Sequence, residues 1–160
     1  MKRLWVCLIG LLSLSGCQNA PPAKTPEGPK TLAVTRWTEK SELFMEYPAL
    51  VSREKARFAV HFTELRNFKP AGAGPVVVEL RPANGPVQSF SADAPSRPGI
   101  FGLDVQPGGP GTYSLTVRLD STSLKDTHEL GEVTVFADLR QAEAASPTAK
   151  GEGKIGRAHV

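Results

Sequence analysis

The stretch Arg57-Phe58-Ala59-Val60-His61-Phe62 decides the fold. Large apolar side chains stand at every second position, with Arg57, Ala59 and His61 between them. On a strand successive side chains point to opposite faces, so Phe58, Val60 and Phe62 share one face, and a helix would scatter them. The same period returns along the chain at Val76, Val78 and Leu80, at Phe101, Leu103 and Val105, at Tyr113, Leu115, Val117 and Leu119, and at Val133 and Val135. Leu32–Trp37 and Glu42–Tyr47 read as edge strands, and Gln88–Ala92 as a weaker candidate.

Turn formers separate these runs: Pro70 to Gly74, Asn84-Gly85-Pro86, Pro95 to Gly99 and Pro107 to Gly111. Glycine accepts a positive φ and proline fixes its own, so such clusters end strands. About seven or eight short strands with almost no helical pattern predict an all-β fold over residues 31–138, an immunoglobulin-like antiparallel β-sandwich. Each strand has one apolar and one polar face, as two sheets with solvated outer surfaces require. Tyr113, two residues after Gly111 at the opening of a late strand, reads equally as a tyrosine corner or as an ordinary buried tyrosine. Trp37, Phe44, Phe58, Phe62, Phe68, Phe90, Phe101 and Phe136 are expected mostly in the core.

Upstream of this unit, Lys2 and Arg3 precede an apolar run from Leu4 to Leu14 that is only about half of the ~20 residues a spanning helix needs. Leu14-Ser-Gly-Cys17 closes it. A basic start, a short apolar run and small residues before a cysteine predict a lipoprotein signal peptide over 1–16, with the Cys17 thiol as the site of lipid attachment. At ~0.8 kcal/mol per buried methylene, two or three acyl chains would hold the protein to a bilayer almost permanently. Gln18, where an aspartate would favour inner-membrane retention, points to the outer membrane, facing the periplasm. Residues 17–30 include Gln18–Lys30 with its four prolines and read as a tether.

With Cys7 in the signal and Cys17 lipidated, the expected domain has no cysteine, hence no internal disulfide, thiolate nucleophile or cysteine-based zinc site. The formal charge of +3 includes Lys2 and Arg3; without them 17 basic residues face 16 acidic ones, leaving +1. With no basic run interleaved with aromatics, no nucleic-acid partner is expected. The polar stretch at 139–154 reads as a linker toward a further part of the protein. The last six residues, Ile155-Gly-Arg-Ala-His-Val160, match the translation of a common sequencing adapter and are expected to be an artefact, so that the natural chain would continue past Lys154.

Four stretches resemble the N-terminal domain of a known family: Trp37–Pro48, Arg57–Leu65, Pro95–Phe101 and Asp126–Gly131. They are similar to periplasmic adaptor subunits (membrane fusion proteins) of resistance-nodulation-division efflux pumps, of the heavy-metal (copper and silver) type. The resemblance covers residues 31 to 154 and only the accessory domain. It implies a periplasmic, lipid-anchored protein that bridges an inner-membrane transporter and an outer-membrane channel, beside like subunits. The family's core is a helical hairpin, a lipoyl-like domain and a β-barrel, and Gly151-Glu-Gly153 falls where a linker into that core would lie. This chain departs from metal-type relatives in carrying Met45 as its one methionine after the signal.

Met45, His61 and His128 are the side chains suited to a soft cation, which needs two or three thioether or imidazole donors converging. Their spacing matches no metal motif, so no metal and no cofactor are expected; a surface histidine, a turn histidine and a core methionine are the ordinary alternatives. For catalysis, no Gly-x-Ser-x-Gly elbow and no phosphate-cradling loop occur, and Ser96 and Asp104 near a Pro/Gly turn are expected to serve the turn. Glu42 and Glu46 share a strand face and read as a solvated edge. The sequence therefore predicts a non-catalytic interaction module. A stand-alone envelope lipoprotein with an immunoglobulin-like fold, for assembly or adhesion, and a periplasmic metal carrier are the alternatives.

Overall fold

The runs of alternating apolar residues are strands in the computed structural model, which describes residues 31–145. The signal peptide, Cys17, the tether and the chain beyond Ala145 lie outside the described residues. In order come β1 (Thr31–Trp37), β2 (Ser41–Pro48), β3 (Leu50–Val51), β4 (Ala56–Glu64), β5 (Lys69–Pro70), β6 (Val76–Pro82), β7 (Gln88–Ala92), β8 (Ile100–Val105), β9 (Gly111–Asp120), β10 (Lys125–Phe136) and a short helix α1 (Leu139–Ala145).

Two sheets result. The first runs β1-β2-β4, with β8 and the two-residue β5 both pairing the far side of β4; the second runs β3-β10-β9-β6-β7. Their inner faces make the core. From the first sheet come Leu43, Met45, Phe58, Val60, Phe62, Phe101 and Leu103; from the second come Val76, Val78, Leu80, Leu115, Val117 and Leu119. Each such side chain contributes roughly 1.5–3 kcal/mol on leaving water. Phe62 meets Phe101 edge-on at 6.5 Å, and Tyr47 stacks on Phe58 at 4.8 Å. No cysteine lies among the described residues, so no disulfide joins the sheets within them.

Several expectations change. The β2 strand is interior, paired with β1 on one side and β4 on the other. Its outward Glu42 and Glu46 mimic an edge in the sequence because outer-face charges and edge charges look alike. Pairing is not purely antiparallel: the chain leaves β2 at Pro48, crosses to the other sheet, and β3 runs parallel to the end of β10. Trp37 and Phe68 are 64% and 79% exposed and belong to no core. Residues 139–145, expected as linker, form α1, which buries Ala142. Asp104 serves no turn; it lies in β8 and takes the Arg57 guanidinium at 2.9 Å. Ser96 does serve its turn, donating to the Ile100 carbonyl at 3.1 Å. His128, foreseen as a turn residue, is buried within β10.

Candidate docking surface

Three turns meet at one end of the sandwich. Thr38 closes the β1–β2 turn, its Oγ1 accepting the backbone N–H groups of Lys40 at 3.0 Å and Ser41 at 3.1 Å. The Leu65 N–H donates to the Lys40 carbonyl at 2.9 Å and so fastens the β4–β5 turn to it. Ser121 accepts the Leu124 N–H at 3.0 Å and shapes the β9–β10 turn. Between the turns lies a groove of about 570 Å³, lined among others by Lys40, Glu64, Arg66, Ser123 and Lys125. Buried Glu64 accepts from Arg66 at 2.9 Å, Asn67 at 3.2 Å and Ser123 at 3.3 Å. The Arg66 guanidinium holds its carboxyl below the usual carboxylate range, against the opposing effect of burial.

Beneath this groove Ser41, Asp126 and His128 come together. Ser41 Oγ donates to Asp126 Oδ2 at 2.5 Å and lies 2.9 Å from His128 Nε2. Thr38 donates to the same Oδ2 at 2.5 Å, and the Thr127 N–H reaches Oδ1 at 2.9 Å. The three residue types are those of a hydrolytic triad, but the arrangement is not one. A triad places serine and carboxylate on opposite ring nitrogens. Here both stand at Nε2, with Asp126 Oδ2 3.4 Å from it, while Nδ1 is buried without a hydrogen-bond partner among the described residues. Ser41 is fully buried and presents no nucleophile to a substrate. The cluster ties β2 to β10, one sheet to the other.

Cross-strand register sets out the outer face of the first sheet in rows. Trp37, Glu42, Thr63 and Pro70 form one row; Thr35, Phe44, His61 and Ile100 the next; Ala33, Glu46, Ala59 and Gly102 the third. Phe44 and His61 pack ring to ring at 5.3 Å. Phe44 and Ile100 set apolar side chains in the middle row beside Thr35 and His61, and the acids Glu42 and Glu46 stand in the rows on either side. Further along, the Arg57 guanidinium lies over Gly102 and reaches Asp104. The outer face of the second sheet is polar by contrast, with Glu79, Arg81, Ser114, Thr116, Arg118 and Thr134. Phe68 stands in the turn before β5 with φ 54°, a left-handed backbone that bulky side chains avoid.

The side chains weighed as metal ligands do not converge. Met45 is fully buried on the inner face of β2, His61 lies on the outer face of β4, and His128 is buried in the opposite sheet. Among the described residues no three His, Cys, Asp or Glu side chains gather as a metal site. The sequence reading missed the roles of Thr38, Ser41 and Asp126. The available signal was Asp126-x-His128, two polar side chains on the same strand face two residues apart. It also missed the exposure of Trp37 and Phe68.

Comparison of the chain with protein-family models, with curated proteins and with solved structures finds no match.

Proposed function

We propose that this chain is a lipid-anchored, periplasm-facing interaction module with an immunoglobulin-like fold, the N-terminal part of an efflux-pump adaptor. The outer face of the first sheet presents Trp37, Phe44 and Ile100, where that of the second is mostly polar, and this contrast is the observation that carries the binding role. Trp37 in one row and Phe44 and Ile100 in the next, with Glu42 and Glu46 beside them, fit a protein surface that offers an apolar patch with lysine or arginine beside it. In the groove at the turn end the Glu64 carboxylate is taken up by Arg66, Asn67 and Ser123, and the Ser–His–Asp cluster found among the described residues is sealed, so a non-catalytic role is the better fit.

The strand order supports the fold assignment. β2, β4 and β8 stand in one sheet as strands A, B and E do in that fold, and β6, β9 and β10 in the other as C, F and G do. Tyr113 adds a second support: its hydroxyl donates to the Gly109 carbonyl at 2.8 Å, four residues upstream. The anchoring reading rests on the Leu14–Cys17 signal, and the adaptor reading on the segment likeness described above.

Two measurements test the proposal. Labelled palmitate should mark the full chain in a bacterial host and fail to mark Cys17→Ser. A photo-crosslinking amino acid at position 100 should give an adduct with the transporter or the channel of an efflux assembly. An unlabelled soluble protein would remove the anchor, and adducts confined to other proteins would remove the adaptor role.

A further inference from the structure

We propose that two copies of this chain pair antiparallel through β1, joining their first sheets into one continuous sheet. This inference is independent of the efflux reading and would hold for any role of the domain.

A sheet edge is a row of unpaired N–H and C=O groups, and proteins blunt such edges with proline, lysine, bulges or brevity. Three of the other edges of this sandwich are blunted, and the remaining two, β7 and the free flank of β8, are shorter than β1, with five and six residues against seven. β5 is two residues long and reads Lys69-Pro70; β3 also has two residues. The free flank of β10 carries a bulge between Glu129 and Gly131, where Gly131 has φ 84°, and the charges of Lys125, Asp126, Glu129 and Glu132. Strand β1 is different. It pairs β2 without a break over its whole length, from Thr31↔Pro48 to Trp37↔Glu42, and among the described residues no strand pairs its other flank. It contains no proline, no lysine and no glycine, and its one charge is Arg36.

Beside that flank lies an apolar cleft of about 250 Å³ between the sheets, lined by Leu32, Tyr47, Leu50, Val133 and Phe136, with Glu132 at its side. An added strand gains ladder hydrogen bonds from the edge and side-chain selectivity from such a cleft. A second β1 suits both. Pairing centred on Val34 sets Leu32 of one copy across from Arg36 of the other on the inward face. That guanidinium then arrives in the cleft that Glu132 lines. The arrangement is self-complementary, as a two-fold interface must be. The chain's own Gln18–Lys30 stretch is a poor occupant, because its four prolines lack the N–H a ladder needs. The pairing would also merge the two outer faces.

The test uses the full chain in detergent micelles. Paired residues across antiparallel strands have Cα atoms about 4.5–5.5 Å apart, within disulfide reach. With Cys7 and Cys17 changed to serine, Val34→Cys should therefore form a disulfide-linked dimer on mild oxidation, whereas the same chain without it, or with Thr116→Cys on the other sheet instead, should not. Sedimentation should show a dimer that Leu32→Lys weakens by about tenfold or more through like charges facing Arg36. Adding Arg36→Glu to Leu32→Lys should restore it. A chain that stays monomeric at its highest soluble concentration, or a dimer in which Val34→Cys does not cross-link, overturns the proposal.

Discussion

Ser41 of β2 and His128 of β10 meet across the two sheets, Oγ to Nε2, at 2.9 Å. The direction of that bond follows from the neighbours. Ser41 has one proton, and it goes to the Asp126 carboxylate at 2.5 Å. His128 must then donate from Nε2, which leaves Nδ1 as a buried, unprotonated acceptor on a ring that packs against Phe62 at 5.6 Å. The imidazole is neutral in the fold, and charging it would place a second proton on a nitrogen with nothing to receive it.

Stability should consequently fall as the solution becomes mildly acidic. Burial holds the His128 imidazole below its ordinary value of 6.5, against the opposing pull of Asp126. A group depressed in the fold binds more protons when unfolded, so its contribution is complete above pH 6.5 and is lost as pH falls from there through the folded value. Asp126 follows at lower pH: burial raises its carboxyl, but the hydroxyls of Ser41 and Thr38 and the Thr127 N–H outweigh that and hold it below 3.8. Thermal unfolding should show Tm dropping between about pH 7 and pH 5. In His128→Gln, which keeps a donor for Ser41 and cannot titrate, that slope should flatten. An equal slope in both proteins would assign the acid sensitivity elsewhere.

Two aspartates make a controlled comparison. Asp126→Ala removes the acceptor of the buried Ser41 hydroxyl and of the half-buried Thr38 hydroxyl and should destabilise by about 1–3 kcal/mol. Asp104→Asn breaks a pair with Arg57 whose side chains are 64% and 47% exposed, and should change stability by less than about 0.5 kcal/mol. Urea titration of both variants checks the contrast; similar losses would mean that the buried cluster is not what holds β2 to β10.

Much of this was legible in the sequence, for a definite reason. Phe58, Val60 and Phe62, or Leu115, Val117 and Leu119, alternate because one face of each strand meets the other sheet, and alternation survives in a single sequence. Position across the sheet leaves no such trace. Glu42 and Glu46 would look the same on an edge strand as on the outer face of an interior one, so β2 was misplaced. Aromatic character does not encode burial either: Phe62 and Phe68 are alike as residues, and only the turn geometry puts the second in solvent. The Thr38–Ser41–Asp126–His128 cluster joins positions far apart in the chain, which no local pattern announces.

At Gly99 the backbone is the constraint. Its carbonyl accepts the Phe62 N–H at 3.0 Å, its N–H donates to Ala71 at 2.9 Å, and the Ala71 N–H returns to the Phe62 carbonyl at 2.9 Å. The residue has φ 77°, and an added Cβ would fall 2.6 Å from Pro70 Cβ and 3.1 Å from the Phe62 carbonyl oxygen. Gly99→Ala should therefore destabilise by about 2–4 kcal/mol through strain and overlap together. A denaturant midpoint within error of the parent would show that the loop before β8 can shift freely.

Tyr113 offers a smaller loss. The ring is buried against the core and only its hydroxyl is removed in Tyr113→Phe, which leaves the Gly109 carbonyl without that donor. Part of the site is reached by solvent, so the expected cost is about 1 kcal/mol, with the fold retained. A loss several times larger would mean that the hydroxyl orders the whole turn before β9.

Phe68 should show stability and binding moving in opposite directions. A bulky residue with φ 54° costs roughly 1–2 kcal/mol relative to an unstrained one, and the ring recovers nothing from packing at 79% exposure. Glycine relieves the strain but adds about 0.5–1 kcal/mol of chain entropy to the unfolded state. Phe68→Gly should thus raise stability by about 0.5–1 kcal/mol net, read as a higher Tm. Retaining an aromatic at such a position is explained if the ring meets a partner, since strained residues persist where binding uses them. The same variant should then lower the yield of the position-100 crosslink to the proposed partner. A stabilised protein that crosslinks as well as the parent would confine docking to the rows around Trp37, Phe44 and Ile100.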